Sequence, residues 1–384
     1  MKNYRVLRDM IKIIADNKIP FLKGALEPYA SIRYLEGSEI DHSAVENCDA
    51  LLIRTRTICD ASLLRDSQVE FIGTTTIGFD HIDTEYCDSR SICWANAPGC
   101  NAGSVQQYIA SALANLVLKH HYSLSGKTLG IVGVGHVGKK VEEMARLLGV
   151  KVLLNDPPRA RKEGLAGFVP IHRLLVESDI VTLHVPLNRS GEDITLHLIN
   201  QATLGLMRPG SWLFNTSRGE VVDGDSLKSS LAAGRLAGAV IDVWENEPSV
   251  DLELLEQVTL ATPHIAGYST DGKRNGTVQV VRKLGNHFNL LVASWEPPGI
   301  PEPSDPVITL DGRDVSLETL VSRAILHTYD VTDDDSRFRS DPGEFEKQRG
   351  NYPARREFPA YKIKLLNCPA AAREIFAALG FSVC

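Results

Sequence analysis

The stretch Ile131-Val132-Gly133-Val134-Gly135-His136-Val137-Gly138 reads Gly-x-Gly-x-x-Gly. It closes an apolar run, Lys127 to Val132, of the kind that forms a buried parallel strand. Behind it Val137, Val141, Met144, Ala145 and Leu148 recur at helical spacing, with Lys139, Lys140, Glu142, Glu143 and Arg146 on the other side. Strand, tight turn and helix therefore come in the order that a dinucleotide-binding turn needs. Gly133 permits the turn, Gly135 lets backbone approach a pyrophosphate, and Gly138 lets helix and strand pack closely. The helix opens at His136 and Val137, where backbone N–H groups and the positive end of the helix dipole can meet phosphates. A second apolar run, Val150 to Leu154, leads to Asp156, about twenty residues on, where a carboxylate can hold ribose hydroxyls. Asp156 would repel a 2′-phosphate, so the expected cofactor is NAD rather than NADP. Arg159 is the one neighbour that argues the other way.

The chain of 384 residues has room for two or three domains, and its 43% hydrophobic and 23% charged content is that of a globular protein. A net charge of −7 with no long basic run argues against nucleic acid or an anionic membrane as partner. No apolar run reaches the length of a membrane span. Met1 to Asp9 reads as an appendage without the apolar centre of a secretory signal, and Met10 is the candidate natural start. The seven cysteines include no C-x-x-C pair and read as free thiols in a cytoplasmic protein. No metal site is expected.

Before the glycine turn, apolar runs at Ile11 to Asp16, Ala50 to Ile53, Val69 to Gly73 and Ser91 to Trp94 alternate with helix-like stretches, which predicts a separate parallel α/β domain. Polar residues follow two of these strands: Arg54-Thr55-Arg56-Thr57, and Thr74-Thr75-Thr76 with Ile77-Gly78-Phe79-Asp80-His81. Ligands bind outside the carboxyl ends of parallel strands, so Arg54, Thr55 and Thr76 are candidates to hold a small oxygenated anion. The spacing predicts a helix over Ser104 to Leu118. After the turn come strands ending near Val185, Phe214, Trp244 and Ala261, then a helix from Thr270 to Leu291. Glu296 to Pro303 is a proline-rich linker. Beyond it strands at Val307 to Leu310, Tyr361 to Leu365 and Phe381 to Val383, with helices at Val315 to Tyr329 and Ala370 to Leu379, form a third small α/β domain. So short a domain is expected to pack on a partner subunit.

Transfer of a hydride from a 2-hydroxy acid needs a cation for the carboxylate, a base for the hydroxyl proton, and a group that holds the base in one orientation. Arg218 suits the first task, since its fork matches a carboxylate. His264 suits the second, because imidazole titrates near neutrality. Glu247 suits the third, and Glu245, two residues away, competes with it on chemistry alone. All three of Arg218, Glu247 and His264 follow successive strands of the dinucleotide domain.

The glycine turn with Asp156, the stretch Asn215-Thr216-Ser217-Arg218-Gly219, Asp242-Val243-Trp244-Glu245-Asn246-Glu247-Pro248 and Pro263-His264-Ile265-Ala266-Gly267 together resemble the D-isomer-specific 2-hydroxyacid dehydrogenases. The resemblance implies a Rossmann-type NAD domain over 104–267 and a flavodoxin-like substrate domain over 10–103, completed by 268–295. It implies Arg218 as carboxylate anchor, Glu247 and His264 as acid–base pair, and Val185, Thr216, Ser217, Asp242 and Gly267 as cofactor contacts. Ala97 to Ala102, Asn155 to Ala160, His264 to Tyr268, Gly343 to Phe345 and Asn351 to Glu357 point to a branch with a C-terminal α/β dimerisation domain, here 300–384. That branch is a homodimer. It oxidises a four-carbon 2-hydroxy acid, phosphorylated at C4, in pyridoxal 5′-phosphate synthesis. Its substrate contacts map onto Thr55, Thr76 and Tyr268. Arg54, Arg355 and Arg356 are candidates for the phosphate, the last two in the neighbouring subunit's site. The chain departs from other members at Met1 to Asp9 and in carrying Thr216-Ser217 where Ala-Cys is frequent. A sister dehydrogenase for 3-phosphoglycerate or glyoxylate, and a dinucleotide-sensing binding protein on the same fold, are the alternatives.

Overall fold

The computed structural model describes residues 10–164 and 166–384; the Met1 to Asp9 appendage lies outside them. Two compact units divide the chain. One reaches to Asn101 and takes up Thr270–Pro301, and the other joins Ala102–Ser269 to Glu302–Cys384.

In the first unit five strands form an all-parallel sheet: β1 (Ile11–Asp16), β2 (Ala30–Leu35), β3 (Ala50–Ile53), β4 (Phe71–Thr74) and β5 (Cys93–Ala95). Their order, β2-β1-β3-β4-β5, is flavodoxin-like. β3 and β4 are buried at every residue, as strands covered on both faces must be. Alternate side chains go to opposite faces. Leu52 and Phe71 meet Val280 and Leu284 of the helix Thr270–Phe288, whereas Leu51, Ile53 and Ile72 meet Val45 and Leu64. β2 has no clear signature in the sequence because it is a half-buried edge strand that carries Arg33 and no apolar run.

The second unit begins with the helix α1 (Ala102–Lys119) and holds two sheets. The larger contains β6 (Thr128–Val132), β7 (Lys151–Asn155), β8 (Ile180–Leu183), β9 (Ser211–Asn215), β10 (Leu236–Ile241) and β11 (Leu260–Ala261), all parallel, in the order β11-β10-β9-β8-β6-β7. Beyond β7 the chain returns to the sheet edge at Val169. The Val169 N–H donates to the Leu154 carbonyl at 2.8 Å, and Asn155 Nδ2 donates to the Val169 carbonyl at 2.8 Å. The chain changes direction across the sheet between β6 and β8, the switch point at which such sheets bind ligands. Register brings the strand ends level. Asn155 pairs with Val132, Val132 with Leu183, Leu183 with Asn215, Asn215 with Ile241, and Ile241 with Ala261. Whatever follows those six residues starts from one row.

The smaller sheet, β12 (Val307–Asp311), β13 (Lys362–Leu366) and β14 (Ser382–Val383), is parallel and shares a core with the dinucleotide domain. Tyr108 and Leu113 of α1 lie in one cluster with Phe214, Ile325, Phe358 and Phe376. A wholly buried phenylalanine such as Phe376 contributes about 1.5–3 kcal/mol. The core of this short domain is thus completed within its own chain, whether or not a second subunit also packs on it. Helices α2 (Val331–Ser340) and α3 (Phe345–Gly350) lack an apolar stripe that would announce them, because α2 turns only Val331, Asp334 and Phe338 inward.

No helix among the described residues is long and apolar enough to cross a membrane. No disulfide joins any two cysteines among them. Burial pushes the Cys48 and Cys59 thiols up to about 12 and Cys87 to about 11, so none of these is a ready nucleophile.

Candidate active site

The glycine turn is shaped by backbone contact. Gly133 has φ +87°, and a Cβ there would stand 2.6 Å from the His184 carbonyl oxygen and 2.8 Å from Val185. A Cβ on Gly138 would stand 2.1 Å from the Gly133 carbonyl. Over Gly135, by contrast, nothing approaches within 4 Å, and His136 beside it is exposed while Val137 is half-buried. A helix N-terminus with an open glycine face fits a pyrophosphate.

Asp156 accepts the Val134 N–H at 2.8 Å and caps its own helix through the Arg159 N–H at 3.0 Å. Arg159, the residue that argues for NADP, is already taken. Its guanidinium donates to both Glu163 oxygens, at 2.8 and 2.6 Å, and to the Val134 carbonyl at 2.6 Å. His184, just before Val185, is half-buried, and desolvation pushes it down to about 3, so it is neutral. It bridges Thr182 Oγ1 (3.0 Å) and Thr216 Oγ1 (3.3 Å), and so sets the Thr216 hydroxyl.

After β9, Asn215 organises the next loop. Its Oδ1 accepts the Ser217 N–H and Oγ–H, at 3.1 and 2.7 Å, and its Nδ2 donates to the Arg218 carbonyl at 3.0 Å. Ser217 is buried and Arg218 half-buried, its Nη1 donating to the Ser217 carbonyl at 2.8 Å. A Cβ on Gly219 would fall 2.0 Å from the Trp244 carbonyl, so the β9 and β10 loops touch there. The Trp244 N–H in turn donates to Glu247 Oε1 at 2.9 Å. Arg218 and Glu247 are thus joined by one backbone contact and one hydrogen bond.

Glu247 Oε2 lies 2.8 Å from His264 Nδ1. Glu245 goes elsewhere, to His197 Nε2 at 2.7 Å and the Gly224 N–H at 2.9 Å. Burial alone would raise the Glu247 carboxyl. The hydrogen bond and charge of His264, the Trp244 N–H and the Arg349 guanidinium outweigh burial and hold it below the ordinary carboxylate range. His264 has φ +56°, an unusual backbone state. Asp242 holds it there. Its carbonyl accepts the His264 N–H at 2.7 Å, and its buried carboxylate accepts the Ile265 and Ala266 N–H groups at 2.7 and 3.0 Å and Thr262 Oγ1 at 2.6 Å. Expected from the sequence to be a cofactor contact, Asp242 has its carboxylate filled by the loop that carries His264.

Gly267 and Tyr268 end this loop. The Tyr268 ring meets Tyr352 edge-on at 5.8 Å, with the Arg349 guanidinium 5.6 Å from its centre. Sequence reasoning misses Arg349 of α3, since nothing in its sequence neighbourhood marks it. Arg355 is 5% exposed and occupied inside its own chain, which corrects the idea that it reaches a phosphate in a neighbouring subunit. In the first unit, Arg54 is half-buried and Thr55 exposed directly after β3. Thr76 Oγ1 donates to the Gly78 carbonyl at 2.9 Å and lies 2.8 Å from Thr74 Oγ1, which His81 Nε2 contacts at 3.1 Å.

Residues 106–266 match the model of the D-isomer specific 2-hydroxyacid dehydrogenase NAD-binding domain, and residues 300–380 match a domain of unknown function, DUF3410. An erythronate-4-phosphate dehydrogenase of Bacteroides fragilis is 46% identical over 354 residues, 92% of this chain and 99% of that protein. The Proteus mirabilis protein of the same name is 38% identical over 379 residues, 97% of this chain and 99% of that one. Among solved structures, D-lactate dehydrogenase from Aquifex aeolicus, complexed with NAD and lactic acid, is 26% identical with a TM-score of 0.60, covering 72% of this chain and 95% of that chain. A full-length match at this identity, on top of the Asp156, Arg218, Glu247 and His264 arrangement, means that the chain belongs to the D-isomer-specific 2-hydroxyacid dehydrogenase family, in its erythronate-4-phosphate dehydrogenase branch.

Proposed function

We propose that the chain oxidises 4-phospho-D-erythronate at C2 to 2-oxo-3-hydroxy-4-phosphobutanoate, with NAD as cofactor, in pyridoxal 5′-phosphate synthesis. The observation that carries this reading is the 46% identity, over 92% of the chain, to a protein of that activity by name. NAD, when bound along Gly133 to Gly138, Asp156, Val185, Thr216, Ser217 and Gly267, supplies the acceptor for the C2 hydride. The protein supplies the rest. Glu247 accepts from His264 Nδ1–H, which leaves Nε2 to take the C2 hydroxyl proton. Arg218 anchors the carboxylate, and Arg54, Thr55, Thr76 and Tyr268 bind the remainder of the substrate. Among the cations for the phosphate, Arg349 beside Tyr268 joins Arg54, and buried Arg355 drops out.

Side-by-side consumption of 4-phosphoerythronate, 3-phosphoglycerate and glycolate, read by mass spectrometry with a 2-oxo acid present to reoxidise retained NADH, tests the substrate. 4-Phosphoerythronate should give the highest kcat/KM, and NADP should serve poorly beside Asp156. Faster turnover of 3-phosphoglycerate would assign the chain to a sister enzyme, and no turnover of any 2-hydroxy acid to a sensing protein.

We also assign a homodimer formed through residues 300–384 and a cytoplasmic location. Exposed Val307 and Leu366 on the C-terminal sheet support the first, and the lack of disulfides among the described residues supports the second. Light scattering should give the mass of two chains for the full-length protein and of one when 300–384 is kept but Val307 and Leu366 are made Lys. A monomer in the parent protein would remove the dimer from this reading.

A further inference from the structure

Arg355 is a charge in a place where charge is costly: it is 5% exposed. Its guanidinium lies 4.3 Å from the centre of the Tyr329 ring and 5.8 Å from that of Tyr352. Both phenol hydroxyls donate to Asp334 Oδ2, at 2.8 and 2.6 Å, and buried Asp334 pairs with Arg337. Two guanidinium nitrogens, Nε and Nη1, have no hydrogen-bond acceptor among the described residues. A buried ion with donors unmet is a weak source of stability, so its purpose lies with the third nitrogen.

That nitrogen, Nη2, donates to the Ala266 carbonyl at 2.6 Å and to Ser104 Oγ. Ser104 Oγ donates to the same carbonyl at 2.8 Å and accepts the Ser269 N–H at 3.0 Å, which fills its one donor and two acceptor sites. Next to Arg355, the Arg356 carbonyl accepts Gln107 Nε2 at 2.9 Å. Glu357 Oε1 then accepts Ser269 Oγ–H at 2.7 Å, and its other oxygen lies so close to Gly103 that a Cβ there would be 2.1 Å away. Three successive residues of the C-terminal domain seat on the first turns of α1 and on the loop 266–269.

We propose that Arg355 and its neighbours are a positioning clamp for the acid–base loop, with Arg355 holding Ala266 in place and thereby His264 against Glu247. The Ala266 residue is gripped at both ends, its N–H by Asp242 and its C=O by Arg355 and Ser104. His264 at φ +56° needs such over-determination, because an unusual backbone state persists only where its surroundings impose it. Releasing the carbonyl end lets the loop relax and carries the imidazole away from Glu247. The C-terminal domain thereby has a task inside its own subunit, separate from any contact with a second copy.

The proposal rests on His264 being the acid–base group, so the test runs Arg355→Met, Arg355→Lys and Ser104→Ala beside His264→Asn in the full-length enzyme. Arg355→Met should lower kcat by roughly 10–100-fold, the cost of a small misplacement of a reacting group, with NAD affinity nearly unchanged. The pH profile of kcat should shift, Arg355→Lys should recover part of the loss, and deuterium uptake at 264–269 should rise. Should Arg355→Met fail to fold, Ser104→Ala is expected to act in the same direction and less strongly, since it removes the second donor to the Ala266 carbonyl and one acceptor of Arg355 Nη2. Parent-like kcat in folded Arg355→Met, or in Ser104→Ala where Arg355→Met does not fold, with kcat of His264→Asn strongly lowered, overturns the clamp alone. Loss of kcat with an unshifted pH profile and equally weakened NAD binding also overturns it, as general destabilisation. Near-parent turnover by His264→Asn would sink the acid–base reading itself.

Discussion

Replacing His264 by Asn is expected to lower kcat by about 10²–10⁴-fold, the usual worth of general acid–base catalysis, while NAD affinity stays nearly the same. Asparagine is the informative replacement. His264 sits at φ +56°, a left-handed state that Asn enters more readily than alanine, so His264→Asn keeps the backbone cost out of the chemical one. The loop itself is held by main-chain groups. Asp242 accepts three successive N–H groups, of His264, Ile265 and Ala266, none of which depends on the side chain at 264. Turnover should therefore fall in both variants, with a smaller change in thermal midpoint for Asn than for Ala. Near-normal kcat in either variant would place the proton elsewhere.

Glu247 gives this prediction a pH arm. Its folded value is depressed, so the stability it carries is present above the ordinary carboxylate range and is lost as pH falls through the depressed value. Glu247→Gln should shrink the loss of thermal stability on the acid side, and should lower kcat because the imidazole loses its anionic partner. An acid limb of stability identical to the parent's would mean that the carboxylate is not what the acid removes.

Much of this site is legible in the amino-acid sequence. Strands β3, β4, β8 and β9 of the two larger sheets are covered on both faces, so they read as plain apolar runs, and the polar residues after them stand out. What the runs do not show is the order in which the strands pair. The register of Leu183, Asn215, Ile241 and Ala261 is what sets the Arg218, Glu247 and His264 loops side by side. Glu245 and Glu247 are equal on chemistry. They part because the Trp244 N–H turns one carboxylate to His264 while His197, nearly fifty residues earlier, takes the other. Arg355 reads in sequence as a surface charge or a phosphate ligand, since Arg-Arg-Glu gives no sign of burial. The groups that bury it, Tyr329, Asp334 and Tyr352, come from separate elements. The same distance effect hides helix α2, whose inward face includes the charged Asp334.

Arg218 is the residue whose loss should be read in KM. A hydrogen-bonded charge pair is worth about 1.5–3 kcal/mol, and each 1.4 kcal/mol is tenfold, so Arg218→Ala should raise KM for 4-phosphoerythronate by roughly 10–100-fold. It should lower kcat as well, because a carboxylate no longer held by a fork presents C2 to His264 at varied angles. Arg218→Lys restores the charge but not the two parallel N–H donors, so it should recover part of KM and little of kcat. The loop is not expected to collapse in either variant. Asn215 fixes Ser217 and the Arg218 carbonyl through its own side chain, and Gly219 still meets Trp244 through backbone alone. NAD affinity, read in the same preparations, should stay close to the parent's. An unchanged KM would mean that the carboxylate sits on another cation. Arg349, which already lies beside Tyr268 and within the field of Glu247, would then be the residue to exchange next.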